Sequence, residues 1–180
     1  NDSTKWYNRW VRNAGTPPII YDPVLIENSR MQMEKAMNNK GYMAARVDVD
    51  TVSKGKRMDV FYRVSANTPH YIDDIDYRIS NDTISRLVER QYASHSLLKK
   101  GSNFDRNVLD EERQRISDML RRDGFYAFNK ELITYTADTA DRSKAVDLTM
   151  NLVPESVANA SGYRPYERYY MRKIYFVLSY

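Results

Sequence analysis

The sequence predicts a mixed α/β (α+β) fold built from a repeated β-α-α-β-β unit, each a three-stranded mixed sheet covered by two helices. Three observations carry this. The chain matches itself without a gap at a spacing of 83: Lys40-Gly41-Tyr42-Met43 aligns with Asp123-Gly124-Phe125-Tyr126, and Tyr21-Asp22 with Phe104-Asp105. Downstream the match continues at wider spacings, Asp59–Val64 against Asp147–Leu152 at 88 and Ile75–Ser80 against Ile174–Ser179 at 99. The added residues fall between patterned segments, where loops absorb insertions at little cost. Lastly, hydrophobic periodicity changes from helical to alternating just after Gly41 and again after Gly124. A repeat of this kind marks an array of one supersecondary unit, and such arrays serve as scaffolds and binding surfaces.

Taken in order, Ser3–Asn13 reads as a helix with Trp6, Tyr7, Trp10 and Val11 inward, ended by Gly15-Thr16-Pro17-Pro18. Asp22 caps a second helix with Pro23 at its first position, carrying Ile26, Met33, Ala36 and Met37 to Gly41. Strands follow at Tyr42–Val52 and Arg57–Ser65, joined through Ser53-Lys54-Gly55-Lys56. This first unit, residues 1–68, lacks an opening strand.

The second unit, residues 69–154, is complete. His70–Ser80 alternates, with Tyr71, Ile75, Tyr77 and Ile79 against charged neighbours, as a half-buried strand does. Asn81 and Asp82 cap a short helix whose Ile84, Leu87, Val88 and Tyr92 share a face. After a turn at Lys99–Asn103, Asp105 opens a longer helix with a stripe of Val108, Leu109, Ile116, Met119 and Leu120 that ends at Gly124. Phe125–Thr136 is rich in aromatic and β-branched residues, Thr139–Lys144 is a polar hairpin loop, and Val146, Leu148, Met150 and Leu152 alternate with polar neighbours. Residues 155–180 are then a linker and, from Tyr169, the alternating first strand of a third unit. The chain is thus expected to be a piece of a longer one.

Composition narrows the function. Hydrophobic residues make up 42% and charged residues 29% of the 180, which suits a folded, soluble chain rather than a disordered one. No run approaches the roughly 20 apolar residues of a spanning helix. Cysteine is absent, which removes disulfides, thiol nucleophiles and thiolate metal ligands together. The net charge is +4, but the positive residues are spread along the chain instead of gathered into a stripe that could follow a phosphate backbone.

The junctions between second helix and strand, AMNNKGYMAARVDVD at Ala36–Asp50 and DMLRRDGFYAFNKELI at Asp118–Ile133, together with the β-α-α-β-β order and a strand at Ile72–Ser80 that takes over directly from the preceding unit, carry a family likeness. The chain resembles tandem POTRA (polypeptide-transport-associated) domains of the outer-membrane assembly-factor family of the BamA and TamA type. The resemblance implies a periplasmic, non-enzymatic scaffold without cofactors. It implies tethering to the outer membrane by a C-terminal β-barrel of the same full-length chain, and partners that are unfolded outer-membrane protein precursors and periplasmic or lipoprotein accessory subunits. Two positions differ from the family's habit: Ser65-Ala66-Asn67-Thr68-Pro69 stands where a Gly often leads into the opening strand, and Ser80-Asn81 where a Gly-Asn ends it.

Catalytic and metal chemistry find little support in the residues. His70 and His95, the two imidazoles, lie in different elements without spaced acidic partners. Alternation along a strand puts Asp74 and Asp76 on one face and Asp73 on the other, so the cluster reads as a solvated sheet face rather than a cation site. What remains is backbone chemistry. The opening strand can join the sheet only beside the hairpin's final strand, which leaves the hairpin's first strand at the margin with unpaired amides and carbonyls. Such a margin accepts an extended peptide as an added strand with little sequence demand. The candidate residues are Ala45, Val47 and Val49 in the first unit and Tyr126, Phe128, Lys130 and Leu132 in the second. Arg46, Asp48 and Asp50 can equally protect the first margin from aggregation. Two further readings stand beside this one: a basic α/β module that binds single-stranded nucleic acid through Tyr62, Tyr77 or Phe128, and a strand-swapped dimer in which the Tyr169–Ser179 segment pairs with the first unit of a second copy.

Overall fold

A computed structural model describes residues 20–139, 144–158, 162 and 164–178. The expected helix at Ser3–Asn13 lies outside them. The chain divides into two compact units: one holds the residues up to Met33 with Val47–Val64, the other Glu34–Arg46 with the residues from Ser65 onward. Together they show a mixed α/β architecture with two small sheets and, among the described residues, no closed barrel.

In the first compact unit, α1 (Pro23–Asn39) begins and a hairpin of β1 (Arg46–Lys54) and β2 (Arg57–Ser65) forms a two-stranded sheet. Asp22 caps the helix as its position predicts, its carboxylate accepting from the Val24 N–H at 2.8 Å. Gly55 and Lys56 close the hairpin as a two-residue turn with Gly55 at φ 66°. Exposed pairs Asp50–Arg63 (2.6 Å) and Lys54–Asp59 (3.1 Å) join its strands. The expected strand at Tyr42–Val52 starts later, because Tyr42–Ala45 is spent on a turn in which the Ala45 N–H reaches the Tyr42 carbonyl at 3.0 Å.

The second compact unit carries the full sheet, β3 (Tyr71–Arg78), β4 (Ile133–Asp138) and β5 (Ala145–Leu152), in the order β3-β5-β4. β3 runs parallel to β5 and β4 antiparallel to it. The opening strand therefore sits beside the final one and leaves β4 at the margin, as the chain order requires. A β-bulge between Ile72 and Asp74 inserts one residue into β3. Simple alternation expects Tyr71 and Ile75 on one face. The bulge instead sends Ile72 into the core while Tyr71 stays 40% exposed, and beyond it Asp74, Asp76 and Arg78 share the solvent face.

Two helical segments cover one face of this sheet. α2 (Asp82–Arg86) is capped by Asn81, whose side chain accepts from the Thr83 and Ile84 N–H groups. It then widens into a π-helical turn at Leu87–Tyr92 and tightens into a 3₁₀ turn at Ala93–His95. α3 (Arg106–Arg122), capped by Asp105, buries Leu109, Ile116 and Leu120. Ile84 and Val88 of the first segment and Ile116 and Leu120 of α3 pack against Ile133, Met150 and Leu152 of the sheet, with Phe125 and Phe128 filling the end of the layer. A second cluster joins Ile72, Leu98, Phe104, Leu109, Val146 and Leu148.

Beyond β5 the chain makes a short helix, α4 (Glu155–Ala158), and Tyr166 turns back into the core. Its ring lies 5.9 Å from that of Phe128 and its hydroxyl donates to the Val153 carbonyl. Burial pushes its phenol up to about 12. The expected strand from Tyr169 does not form: residues 169–178 carry no regular structure, since among the described residues no strand pairs with them. Removing three methylene-sized groups from a fully enclosed position of α3 should weigh on this layer, so Ile116→Ala is expected to lower unfolding free energy by about 2–5 kcal/mol. Urea titration followed by circular dichroism measures it.

Candidate peptide-binding edge

The geometry of β4 decides which backbone groups are offered to a guest. The Val153 N–H donates to the Leu132 carbonyl at 2.9 Å, and Leu132 and Val153 continue the β4–β5 register in which Ile133 opposes Leu152. In an antiparallel ladder the pairs alternate, so Thr134, Thr136 and Asp138 direct their N–H and C=O groups toward β5, and Ile133, Tyr135 and Ala137 direct theirs away. The Ile133 N–H is taken by the Lys130 carbonyl. Tyr135 and Ala137 are left as the outward-facing pair.

Beside them lies a groove of about 410 Å³ between β4 and the start of α3. Phe104, Leu109, Ile133 and Tyr135 supply its apolar lining, and Arg106, Asp110 and Arg113 also border it. The groove's wall is fastened by ion pairs: Lys130 reaches Asp110 at 2.7 Å, and Arg113 reaches Asp110 at 3.2 Å and Glu131 at 3.0 Å while donating to the Lys130 carbonyl. The hydrogen bond from Lys130 holds the Asp110 carboxyl below its ordinary value. These contacts pin the 3₁₀ turn Lys130–Leu132 to α3 and set where β4 begins.

On α3 a buried carboxylate is paired with a partly exposed guanidinium. Glu112 is 2% exposed, accepts from Arg115 Nη2 at 2.6 Å and Nε at 2.7 Å, and accepts from the Ser96 hydroxyl and the Leu97 N–H. Burial raises its pKa, but the hydrogen bonds from Arg115, Leu97 and Ser96 outweigh this and hold it below the usual glutamate value. Tyr135 is pushed far above the ordinary phenol value, first by burial and then by the Glu112 charge, and Tyr77 moves the same way for the same reasons. The Tyr135 hydroxyl is buried and, among the described residues, has no hydrogen-bond partner.

The predicted site residues scatter. Val47 and Val49 lie on β1, Val47 buried and Val49 half-buried, and Ala45 is buried just before the strand. Tyr126, Phe128, Lys130 and Leu132 all precede β4: the expected strand at Phe125–Thr136 begins only at Ile133, because Phe125–Leu132 forms turns that bury Phe125 and Phe128. Sequence reasoning missed Arg106, Asp110 and Arg113, whose spacing of about one helical turn on the α3 surface was the available signal. Tyr77 packs against the core and Phe128 is enclosed within it, so neither can serve as the stacking platform of a nucleic-acid module. His70 Nδ1 lies 3.2 Å from the Gly41 carbonyl and His95 Nδ1 2.9 Å from the Ser94 hydroxyl. Among the described residues no group of three or more His, Asp or Glu side chains is placed to hold a metal.

A second groove, in the first compact unit, lies between α1 and β2 and is lined by Tyr21, Leu25, Ile26, Met58, Val60 and Tyr62. It borders the hairpin strand opposite β1.

No family model and no curated protein matches the chain. Solved structures do. POTRA domains 3–5 of BamA from Haemophilus influenzae are similar over 71% of this chain and 49% of theirs, with 15% identity and a TM-score of 0.47. BamA from Haemophilus ducreyi lacking POTRA domains 1–3 is similar over 77% of this chain and 24% of its own, with 17% identity and a TM-score of 0.42. POTRA domains 1–3 of the periplasmic domain of Omp85 from Anabaena are similar over 80% and 56%, with 19% identity and a TM-score of 0.37. The chain thus spans between about a quarter and just over half of the length of these three structures, and its fold assignment rests on the element order and strand order described above.

The Glu112 carboxylate yields a pH test. Its pKa is depressed in the folded state, so the stabilisation it gives is complete above the ordinary glutamate value of about 4.3 and is lost as pH falls through the folded value. Glu112→Gln should cost about 2–3 kcal/mol at pH 7 and flatten the acid limb of the stability profile. Urea midpoints between pH 7 and pH 3 check both.

Proposed function

We propose that this chain is a pair of POTRA-type units from an outer-membrane β-barrel assembly or translocation factor, acting in the periplasm as a non-enzymatic scaffold. Residues 1–68 and 69–154 form the two units, and residues 155–180 lead into a third. The second unit binds extended segments of unfolded outer-membrane protein precursors, or of periplasmic and lipoprotein accessory subunits, by accepting them as an added strand on β4. The observation that carries this is the outward-facing Tyr135 and Ala137 backbone beside an apolar groove. Backbone pairing supplies affinity without reading sequence, and the groove accepts every second side chain of the guest. Lys130 and Leu132 serve the site by fixing the start of the strand, and Tyr126 and Phe128 by packing the turn before it. β1, with Val47 and Val49 near its start and Ala45 just before it, offers the same kind of margin in the first unit. A β-barrel in the same full-length chain would hold the scaffold at the membrane.

Proline substitution separates the two sides of β4. Ala137→Pro removes an outward N–H and no ladder bond to β5, so it should leave the melting temperature nearly unchanged and weaken binding of a labelled peptide from an outer-membrane β-strand by about tenfold or more. Thr136→Pro, which removes a ladder donor, should instead destabilise the unit. Fluorescence anisotropy with thermal melts provides the readout, and parental peptide affinity in the folded Ala137→Pro variant would refute strand addition at this margin.

A further inference from the structure

A helix that starts on an arginine starts against its own electrostatics. α3 has no acidic residue in its first turn, so Arg106, its first residue, sets a cation where the unpaired N–H groups already make the helix end positive. The Asp105 carboxylate beside it is directed to the Asn107 N–H at 2.8 Å. Helical spacing would give Arg106 another partner, Asp110, because side chains four apart meet on a helix surface. Both Asp110 oxygens are turned elsewhere, Oδ1 to Arg113 at 3.2 Å and Oδ2 to Lys130 at 2.7 Å. Arg113 also holds Glu131 at 3.0 Å. The charges along the groove are thus joined in one network, and among the described residues Arg106 stands outside it, exposed and with no acidic partner. Neither helix stability nor ion pairing within the chain accounts for a cation at this position.

Its place along the groove follows from the packing. Phe104 and Leu109, at the front of α3, join Leu148, which opposes Ala137; Ile116 and Leu120, further along the helix, join Leu152, which opposes Ile133. The helix therefore crosses β4 in the reverse sense. The closed charge network lies where β4 begins, at Lys130 and Glu131, and Arg106 lies toward the end marked by Ala137. Between them are the apolar side chains of Leu109, Ile133 and Tyr135. Ile133 is buried under the helices, and Tyr135 and Ala137 follow it at intervals of two, so all three face the same side of the sheet. A strand added to β4 likewise sets every second side chain on that side. One of these falls over the apolar lining, and a neighbour two positions away falls beside Arg106.

We propose that Arg106 is the specificity-determining residue of the β4 margin: it takes the carboxylate of an Asp or Glu side chain that the guest strand carries two positions from an apolar one. This inference rests on the strand-addition reading and names which extended segments the margin prefers. The planar guanidinium offers two parallel N–H donors that match a carboxylate, a geometry a lysine would not supply. Pairing also neutralises a cation that its own helix disfavours. A charge at the rim of a site acts on encounter rate and on discrimination between partners more than on affinity itself.

The test uses labelled, threonine-rich peptides of about ten residues, the length of an ordinary strand, with a single Leu and with both ends blocked so that no terminal charge competes. Asp, Asn or Lys stands two positions before the Leu in one series and two positions after it in the other, since a guest can run either way along β4. In one of the two series, fluorescence anisotropy at low salt should rank affinity as Asp, then Asn, then Lys, about threefold apart, and high salt should compress the ranking. Arg106→Gln should abolish the ranking and Arg106→Glu should invert it, while thermal melts show an unfolding temperature unchanged or raised. Ala137→Pro keeps the two ideas apart. If it leaves peptide binding intact, strand addition fails and this preference with it. If it removes binding but the parent ranks neither series, or Arg106→Glu ranks the peptides as the parent does, the carboxylate preference fails alone. An Arg106→Gln variant that aggregates and still prefers the Asp peptide would make the residue a guard against edge pairing instead.

Discussion

Much of this structure depends on what a glycine permits at the end of each second helix. At Gly41 and Gly124 the backbone turns into the left-handed region, closes the last helical carbonyls, and exposes its own carbonyl to a strand entry that passes within van der Waals distance. A Cβ would disturb both the turn and the approach. Each glycine thus ends a helix and receives a returning chain at its carbonyl, and at Gly41 that chain opens the sheet at β3. The repeat is faint in sequence because the partners in these contacts are mostly backbone groups, which constrain side chains only where a side chain must be missing.

The strand order follows from this entry. Once His70 is held at Gly41, β3 enters beside β5, and β4 has nothing on its outer side. A margin of this kind is a hazard for a soluble protein unless it is short, twisted or used. Here it is short, flanked by a groove, and fastened at its start by Lys130, Asp110, Arg113 and Glu131. The fastening keeps the strand's register while leaving the Tyr135 and Ala137 backbone open. A rigid margin loses little conformational freedom when a guest adds to it. The buried Glu112 carboxylate, paired with Arg115, ties the Ser96-Leu97 loop to α3.

Several residues sat where pattern reading goes astray for identifiable reasons. Asp73 supplies the bulge of β3, and a single inserted residue moves the inward set from Tyr71 to Ile72, which strict alternation cannot anticipate. Glu112 occupies the buried stripe of α3 between Leu109 and Ile116; read alone it belongs with the solvated charges around it, and only the convergence of Arg115, Ser96 and Leu97 makes its burial affordable. Asn67 stands in for a glycine at φ 56° and donates its amide to the Ala44 carbonyl at 2.8 Å, so the turn into the opening strand works without the expected residue.

Local chemistry determined the element types, the caps at Asp22, Asn81 and Asp105, the helix stops at Gly41 and Gly124, and the placement of β3 next to β5, because periodicity, capping and chain order are properties of neighbouring residues. The candidate margin was legible as a strand that must lie outermost. Its working residues were not. Which amides of β4 face outward depends on a hydrogen bond between Val153 and Leu132, and the groove exists only where α3 and β4 pass each other. Whether the segment from Tyr169 becomes a strand is likewise decided by a partner and not by its own alternation, since extended backbone gains regular structure only when another strand satisfies its hydrogen bonds.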